Sequence, residues 1–280
     1  MSRKNPLPTV VRADPTASVQ QTIDSPFFGL LGEIVPMHDF ELSVVIPIHN
    51  EAPLLRRAVT DLLAQLQPLG YSTELILVEN GSTDGTAAVD RQLAREASAV
   101  RVIEQPEPNY GHALRAGMAA ARGRVIVNFD LDYWDVPFLL DGYALVQHRF
   151  DIVIGSKNLR LSSDRRSLVR RLVSRVFSFV LRLVFGLRVS DTHGIKVWRH
   201  TATLDQLLQA VCFDHHLFDT ELIIRGQRAG LRIVELPVEV SETRRPPWGI
   251  LRRIPRAVID IVRLRLLLWR RSDTGDVARD

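Results

Sequence analysis

The order of apolar and polar stretches predicts an α/β fold, a mostly parallel sheet flanked by helices. Three observations carry it. Short apolar runs of strand length alternate with stretches of helical spacing from Leu42 onward. The runs are apolar on both faces, as strands covered by helices on each side must be. The turns that follow them are polar, where an open α/β sheet binds its ligands.

Residues 1–24 are polar, carry prolines at 6, 8 and 15, and read as a flexible arm. Ser25 to Met37 is more apolar and is expected to dock on the domain. Leu42 to Pro47 (LSVVIP) reads as the first strand, stopped by Pro47. Apolar residues at 54, 55, 58, 59, 62, 63 and 66 predict a helix over Pro53 to Leu66, with Asn50-Glu51 at its start. Glu74 to Val78 is a second strand, followed by the turn Glu79-Asn80-Gly81-Ser82-Thr83-Asp84-Gly85-Thr86 and a helix to Ala97. Val100 to Glu104 is a third strand. Asn109-Tyr110-Gly111-His112 opens a helix through Ala121, and Arg124 to Phe129 is the fourth strand.

That strand runs into Asp130-Leu131-Asp132. Alternation along a strand puts both carboxylates on one side, at the carboxyl edge of the sheet. The pair is either an acidic loop or a seat for a hard cation that carries a diphosphate.

Beyond the pair the pattern loosens. Asp151 to Ser156 reads as a strand. Arg165 to Phe185 reads as a long helix with Arg171, Ser174, Arg175, Ser178 and Arg182 in one stripe. Val189 to Trp198 is strand-like and starts on Asp191-Thr192-His193-Gly194. Phe218 to Ala229 is helical and Leu231 to Val240 strand-like. Ile254 to Arg271 is a helix that Pro255 can begin. Its Arg252, Arg256, Arg263 and Arg270 lie opposite Ile254, Val258, Ile261, Leu268 and Trp269. Such a helix lies in a membrane interface, or packs on the domain with its basic face in water. The expected organisation is an arm (1–24), one domain (25–243), a basic amphipathic segment (244–271) and a tail (272–280).

Composition narrows the functions. A chain 46% hydrophobic and 24% charged forms a core readily, and its net charge of +4 suits an anionic partner. Cys212 is the sole cysteine, read as a small buried hydrophobe. No stretch of 18 residues is free of charge, which predicts no membrane-spanning helix, and residues 1–26 lack a secretory core segment. Neither G-x-G-x-x-G after the first strand nor G-x-x-x-x-G-K-[ST] is present, against dinucleotide oxidoreductases and P-loop NTPases. The arginines sit on apolar helices without aromatic platforms, against nucleic acid. Asp214-His215-His216 reads as a polar surface loop.

VIPIHNE, VENGSTDGT, NYGHALRAGMAAARG and FDLD occur in that order. Together they resemble the nucleotide-sugar half of family 2 glycosyltransferases, which have the Rossmann-like GT-A fold. IGSKNLR, DTHGIKVWR and FDTELIIRGQRAGLRIVELPV extend the resemblance to polyprenyl- and dolichyl-phosphate mannosyl- or glucosyltransferases, over about Leu42 to Thr243. The resemblance implies a nucleoside pocket at Pro47, Asn50 and Glu51, with Glu79 and Asn80 at the family's paired-acid position. It implies Mg²⁺ or Mn²⁺ on Asp130 and Asp132, and donor phosphate met by Arg244 or Arg245. It places the loop of Asp191 and His193 near the active site, where Asp191 is otherwise a turn cap; Asp132, Asp191 and Glu221 are the expected catalytic residues, with Glu221, preferred over Asp219, either orienting the acceptor or serving as a helix N-terminal charge. It also implies inversion at the sugar. Three departures stand out: His49 where the family has Tyr, Glu79-Asn80 where it has Asp-Asp, and Trp134 in place of the Gln of D-x-D-x-Q. Trp cannot ligate a metal, and Asn both donates and accepts, which leaves UDP and GDP open.

A polyprenyl phosphate is already anionic near neutral pH and needs placing more than deprotonating. Arg171, Arg175 and Arg182 with Ser174 and Ser178 suit its phosphate. The expected activity is hexose transfer from a UDP- or GDP-sugar to a polyprenyl phosphate, by a protein bound peripherally on the cytoplasmic side of a membrane. A soluble sugar or glycan acceptor, and a non-catalytic nucleotide-sugar module, are the alternatives.

Overall fold

The computed structural model describes residues 38–159, 162–164, 168–215, 217–240 and 250–272. The arm, Ser25 to Met37, Arg244, Arg245, His216 and the tail lie outside them. Strands β1 (Phe40–Ile48), β2 (Thr73–Asn80), β3 (Val100–Gln105) and β4 (Gly123–Asn128) alternate with helices α1 (Ala52–Leu66), α2 (Thr86–Glu96) and α3 (Tyr110–Ala119). Then come α4 (Val136–His148), β5 (Ile152–Ser156), a two-residue β6 (Ser163–Asp164) and α5 (Leu168–Phe185). β7 (Lys196–Arg199), α6 (Ala202–Ala210), α7 (Phe218–Arg228), β8 (Ile233–Pro237), β9 (Glu239–Val240) and α8 (Ile250–Ser272) complete the chain. All belong to the unit His38–Asp280.

The main sheet has the order β3-β2-β1-β4-β7-β5-β8, and β6 pairs with β9 apart from it. Only β7 runs antiparallel, against both β4 and β5. The expected mostly parallel α/β sheet is therefore present. The central runs are fully covered: Val44, Val45, Leu75 to Val78, Ile126, Val127 and Ile152 to Ile154 are all 0% exposed. One apolar layer lies under α1 and α4 and the other under α3, α6 and α7. That two-sided burial is the reason these strands read as continuous apolar runs.

Several local expectations differ from what is found. Pro47 does not end β1; it pairs with Val78 inside it. Val45 turns its carbonyl to Phe129, so Pro47, two residues on, points its missing donor the same way, past the end of β4. β4 stops at Asn128, so the acid pair sits beyond the strand. The strand-like reading of Val189 to Trp198 shrinks to Lys196–Arg199. Helices α4 and α6 were not expected; both follow capping side chains, Asp135 and Thr201. α8 starts at Ile250, placing Pro255 in its second turn and not at its start.

The C-terminal helix packs on the domain, as one of the two alternatives had it, and also leaves an apolar face exposed. Ile261, Leu264 and Leu268 pack into the core, while Val258, Ile259, Val262 and Leu266 are half-exposed or more. α5 does the same, burying Leu181 and Phe185 and exposing Leu172, Val176, Phe179 and Leu183. Among the described residues no helix is long and apolar enough to cross a membrane.

Candidate active site

Parallel strands bring their carboxyl ends to one edge. There the chain sets the turns after β1, β2, β4 and β5 and, because β7 is reversed, the loop that precedes it.

The first two turns are tied together. Asn50 takes a left-handed conformation (φ 55°), which Asn tolerates better than most residues. Its backbone N–H donates to Ser82 Oγ (2.9 Å), and its Oδ1 accepts from the Thr83 backbone (2.8 Å). His49 Nδ1 donates to the Asn80 carbonyl (2.7 Å), and its Nε2 accepts from Asn50 Nδ2 (3.0 Å). Both ring nitrogens are thereby used, and His49 is half of a clamp on β2. Glu79 and Asn80 are buried, at 4% and 5% exposure. Glu79 Oε1 accepts from the Ser82 backbone (2.7 Å), and Asn80 Oδ1 from the Asn109 backbone (2.7 Å). Gly81 permits this packing: at φ 64° a Cβ would stand 2.8 Å from Pro108 N. Asp84 receives the Thr86 hydroxyl, which holds its carboxyl below the usual range. The Glu51 N–H donates to that same Thr86 hydroxyl at the head of α1 (2.9 Å). Asn50, Glu51, Glu79 and Asn80 thus belong to one cradle built by the two turns, with Pro47 in the strand that leads into it.

After β4 the chain turns sharply, with Asp130 and Tyr133 exchanging backbone hydrogen bonds of 3.2 and 3.1 Å. Leu131 points into the core, Asp132 is exposed and Asp130 is half-buried. The two carboxylates meet through this turn and not through strand alternation. Burial first, and Asp132 second, push the Asp130 carboxyl up to about 6. A carboxyl raised by burial and by a neighbouring acid gains from added positive charge, which a cation would supply. Trp134 lies half-buried against the core and offers no ligand. Among the described residues no group of three His, Cys, Asp or Glu could hold a metal ion. The two carboxylates fit Mg²⁺ or Mn²⁺ when a diphosphate and water supply the remaining oxygens.

Around this pair stand Lys196, Tyr110 and Lys157, to which sequence reasoning gave no role, with Asp219, which it ranked below Glu221, and Asp191, which it singled out. Lys196 and Asp219 form a 2.8 Å ion pair, each side chain 2% exposed. The Tyr110 hydroxyl donates to Asp219 Oδ2 at 3.5 Å. Lys157, after β5, is 2.9 Å from Asp191 Oδ2. Burial raises the Asp191 carboxyl, but Lys157 and the His193 amide outweigh it and hold it below the usual range. The signal for Lys196 was present: a lone lysine in the apolar run GIKVW must find a buried partner.

Glu221 is buried, 0% exposed. One oxygen accepts from the Cys212 and Phe213 backbones (3.0 and 2.8 Å), and the other binds Arg225 (2.7 Å). Its geometry is that of a strap on the 211–215 loop, and Asp219, two residues earlier, is the α7 carboxylate near Asp130. Cys212 is exposed, contrary to expectation.

The α5 stripe divides. Arg171, Ser174 and Ser178 are half-buried, while Arg175 and Arg182 are exposed. Ser178 Oγ accepts from Asn158 Nδ2 (3.4 Å), and the Phe177 ring meets His193 edge-on at 5.7 Å. The inner side of α5 thus lies against the residues that follow Lys157 and Asp191.

The family model for glycosyl transferase family 2 matches residues 43–207. Glycosyltransferase AglD of Haloferax volcanii is 30% identical over 205 residues, 71% of this chain but only 33% of that protein's own length. Dolichyl-phosphate beta-glucosyltransferase of Drosophila melanogaster is 30% identical over 221 residues, covering 72% of this chain and 67% of its own. Among solved structures, glucosyl-3-phosphoglycerate synthase of Mycobacterium tuberculosis, with Mn²⁺, UDP and glucosyl-3-phosphoglycerate, matches at TM-score 0.59 and 26% identity, over 81% of this chain and 80% of that one. Sheet order, polar edge and family match agree: this chain belongs to glycosyl transferase family 2 and has the GT-A fold.

Proposed function

We propose that this protein moves a hexose from a nucleotide diphosphate sugar to a polyprenyl phosphate, bound peripherally at the cytoplasmic face of a membrane. The observation that carries the membrane part is the outer surface of α5 and α8. Of the eleven large apolar side chains exposed among the described residues, Leu172, Val176, Phe179 and Leu183 lie on α5 and Val258, Ile259, Val262 and Leu266 on α8. Exposed Arg175, Arg182, Arg263 and Arg265 accompany them. Apolar stripes with interleaved arginine suit an anionic lipid surface.

The nucleoside rests in the cradle of Pro47, Asn50, Glu51, Glu79 and Asn80. Asp130 and Asp132 would hold Mg²⁺ or Mn²⁺, which when bound would supply charge neutralisation for the diphosphate. Arg244 or Arg245, in the segment after β9, adds to that neutralisation. Arg171, Ser174, Arg175, Arg182 and Lys157 bind and aim the acceptor phosphate, and Asp191 orients Lys157. The phosphate oxygen attacks the anomeric carbon as the nucleoside diphosphate leaves from the other side, inverting the centre. An anionic nucleophile needs no strong base, which accords with Glu221 being committed elsewhere.

The solved neighbour with glucosyl-3-phosphoglycerate favours a second reading, a soluble phospho-acid acceptor. One experiment separates them. UDP-glucose and GDP-mannose are offered with Mn²⁺ and either polyprenyl phosphate in liposomes or 3-phosphoglycerate in solution. Lipid-linked sugar and flotation with anionic liposomes are expected. Transfer to 3-phosphoglycerate alone would overturn the lipid assignment, and transfer to neither the enzymatic one.

A further inference from the structure

Lys196 and Asp219 have no place in donor or acceptor binding above, yet they form the deepest charge pair near the acids. Burying two charges is expensive and is seldom a net source of stability. The layer on that face of β7 does not ask for charge, since Ile154, Trp198 and Phe218 are apolar and buried. The Lys196 ammonium also donates to the Gly194 carbonyl (2.8 Å), fixing the loop that carries Asp191. Asp219 reaches Tyr110 at the head of α3. Lys196 pairs with Asn128 across the β4–β7 seam, two residues before Asp130, so the ion pair sits at the base of the acid turn.

We propose that Lys196 and Asp219 are a positioning pair that sets how tightly the Asp130–Asp132 site holds a divalent cation. Asp219 raises the affinity and Lys196 limits it. The inference rests on Asp130 and Asp132 being the metal carboxylates. A cation at those two acids faces one further negative and one further positive charge, neither screened by solvent. Neutralising Lys196 leaves an excess negative charge beside the cation, and neutralising Asp219 an excess positive one. Neutralising both restores the balance.

The test is titration of the full chain with Mn²⁺ alone, reading free Mn²⁺ by electron paramagnetic resonance. Asp219→Asn is expected to weaken uptake roughly tenfold and Lys196→Met to tighten it roughly tenfold. The double variant is expected within about threefold of wild type. A purely structural lesion weakens both single variants, so the opposite signs are the signature. Should Lys196→Met fail to fold, rescue of Asp219→Asn by the second substitution still decides. Single variants that move together, or not at all, overturn the pair's role. Absence of Mn²⁺ uptake by wild type, with UDP present as well as without it, overturns the metal assignment itself, and this inference with it.

Discussion

Asp90 offers a sharp test of how this fold tolerates charge. It lies on α2, 0% exposed, and neither oxygen has a hydrogen-bond partner. Burial first, then Glu79 and Glu104, raise its carboxyl from 3.8 to about 7. The folded chain therefore holds a proton that the unfolded chain releases between about pH 4 and 7. Stability must fall as pH rises through that window and level off above it. The rise from 3.8 to about 7 corresponds to roughly 4 kcal/mol at about 1.4 kcal/mol per pH unit. Asp90→Asn keeps the shape and the unpartnered polar atoms but cannot ionise. Its advantage over wild type should grow from about 1 kcal/mol at pH 4.5 to about 4 kcal/mol at pH 7.5. For a domain of this size that is a gain in Tm on the order of 10 °C at the higher pH. Urea or thermal unfolding of both proteins across pH 4.5–8 measures it. A difference that stays constant with pH, or shrinks as pH rises, would refute the reasoning.

Other substitutions probe the site and the surface. Asp132→Ala should lower sugar transfer by roughly a hundredfold or more, and excess Mn²⁺ should not restore it. Phe179→Asp with Leu183→Asp should abolish flotation with anionic liposomes while leaving nucleotide-sugar binding by calorimetry unchanged. Glu221→Gln should cost about 3 kcal/mol of stability by unpairing Arg225, without altering the pH profile of transfer. A shifted profile would return Glu221 to the chemistry.

The sequence by itself determined the sheet and its polar edge. Strands β1, β2 and β4 were legible because each is an apolar run buried on both faces, a pattern local packing imposes residue by residue, and the half-buried edge strand β3 was legible from its short apolar run. The turns 49–51 and 79–86 and the pair Asp130–Asp132 were legible for the same local reason, since turn chemistry is written in adjacent residues. What joins distant segments was not. The reversal of β7, which carries Lys196 to the acids, depends on pairing with both β4 and β5. Choosing Asp219 over Glu221 required knowing which side of α7 meets Lys196 and which meets the 211–215 loop. The outward stripes of α5 and α8 became visible only once Leu181, Ile261 and Leu264 had taken the inward side. An apolar residue looks the same in sequence whether it enters the core or faces out, and only the packing of whole elements separates the two.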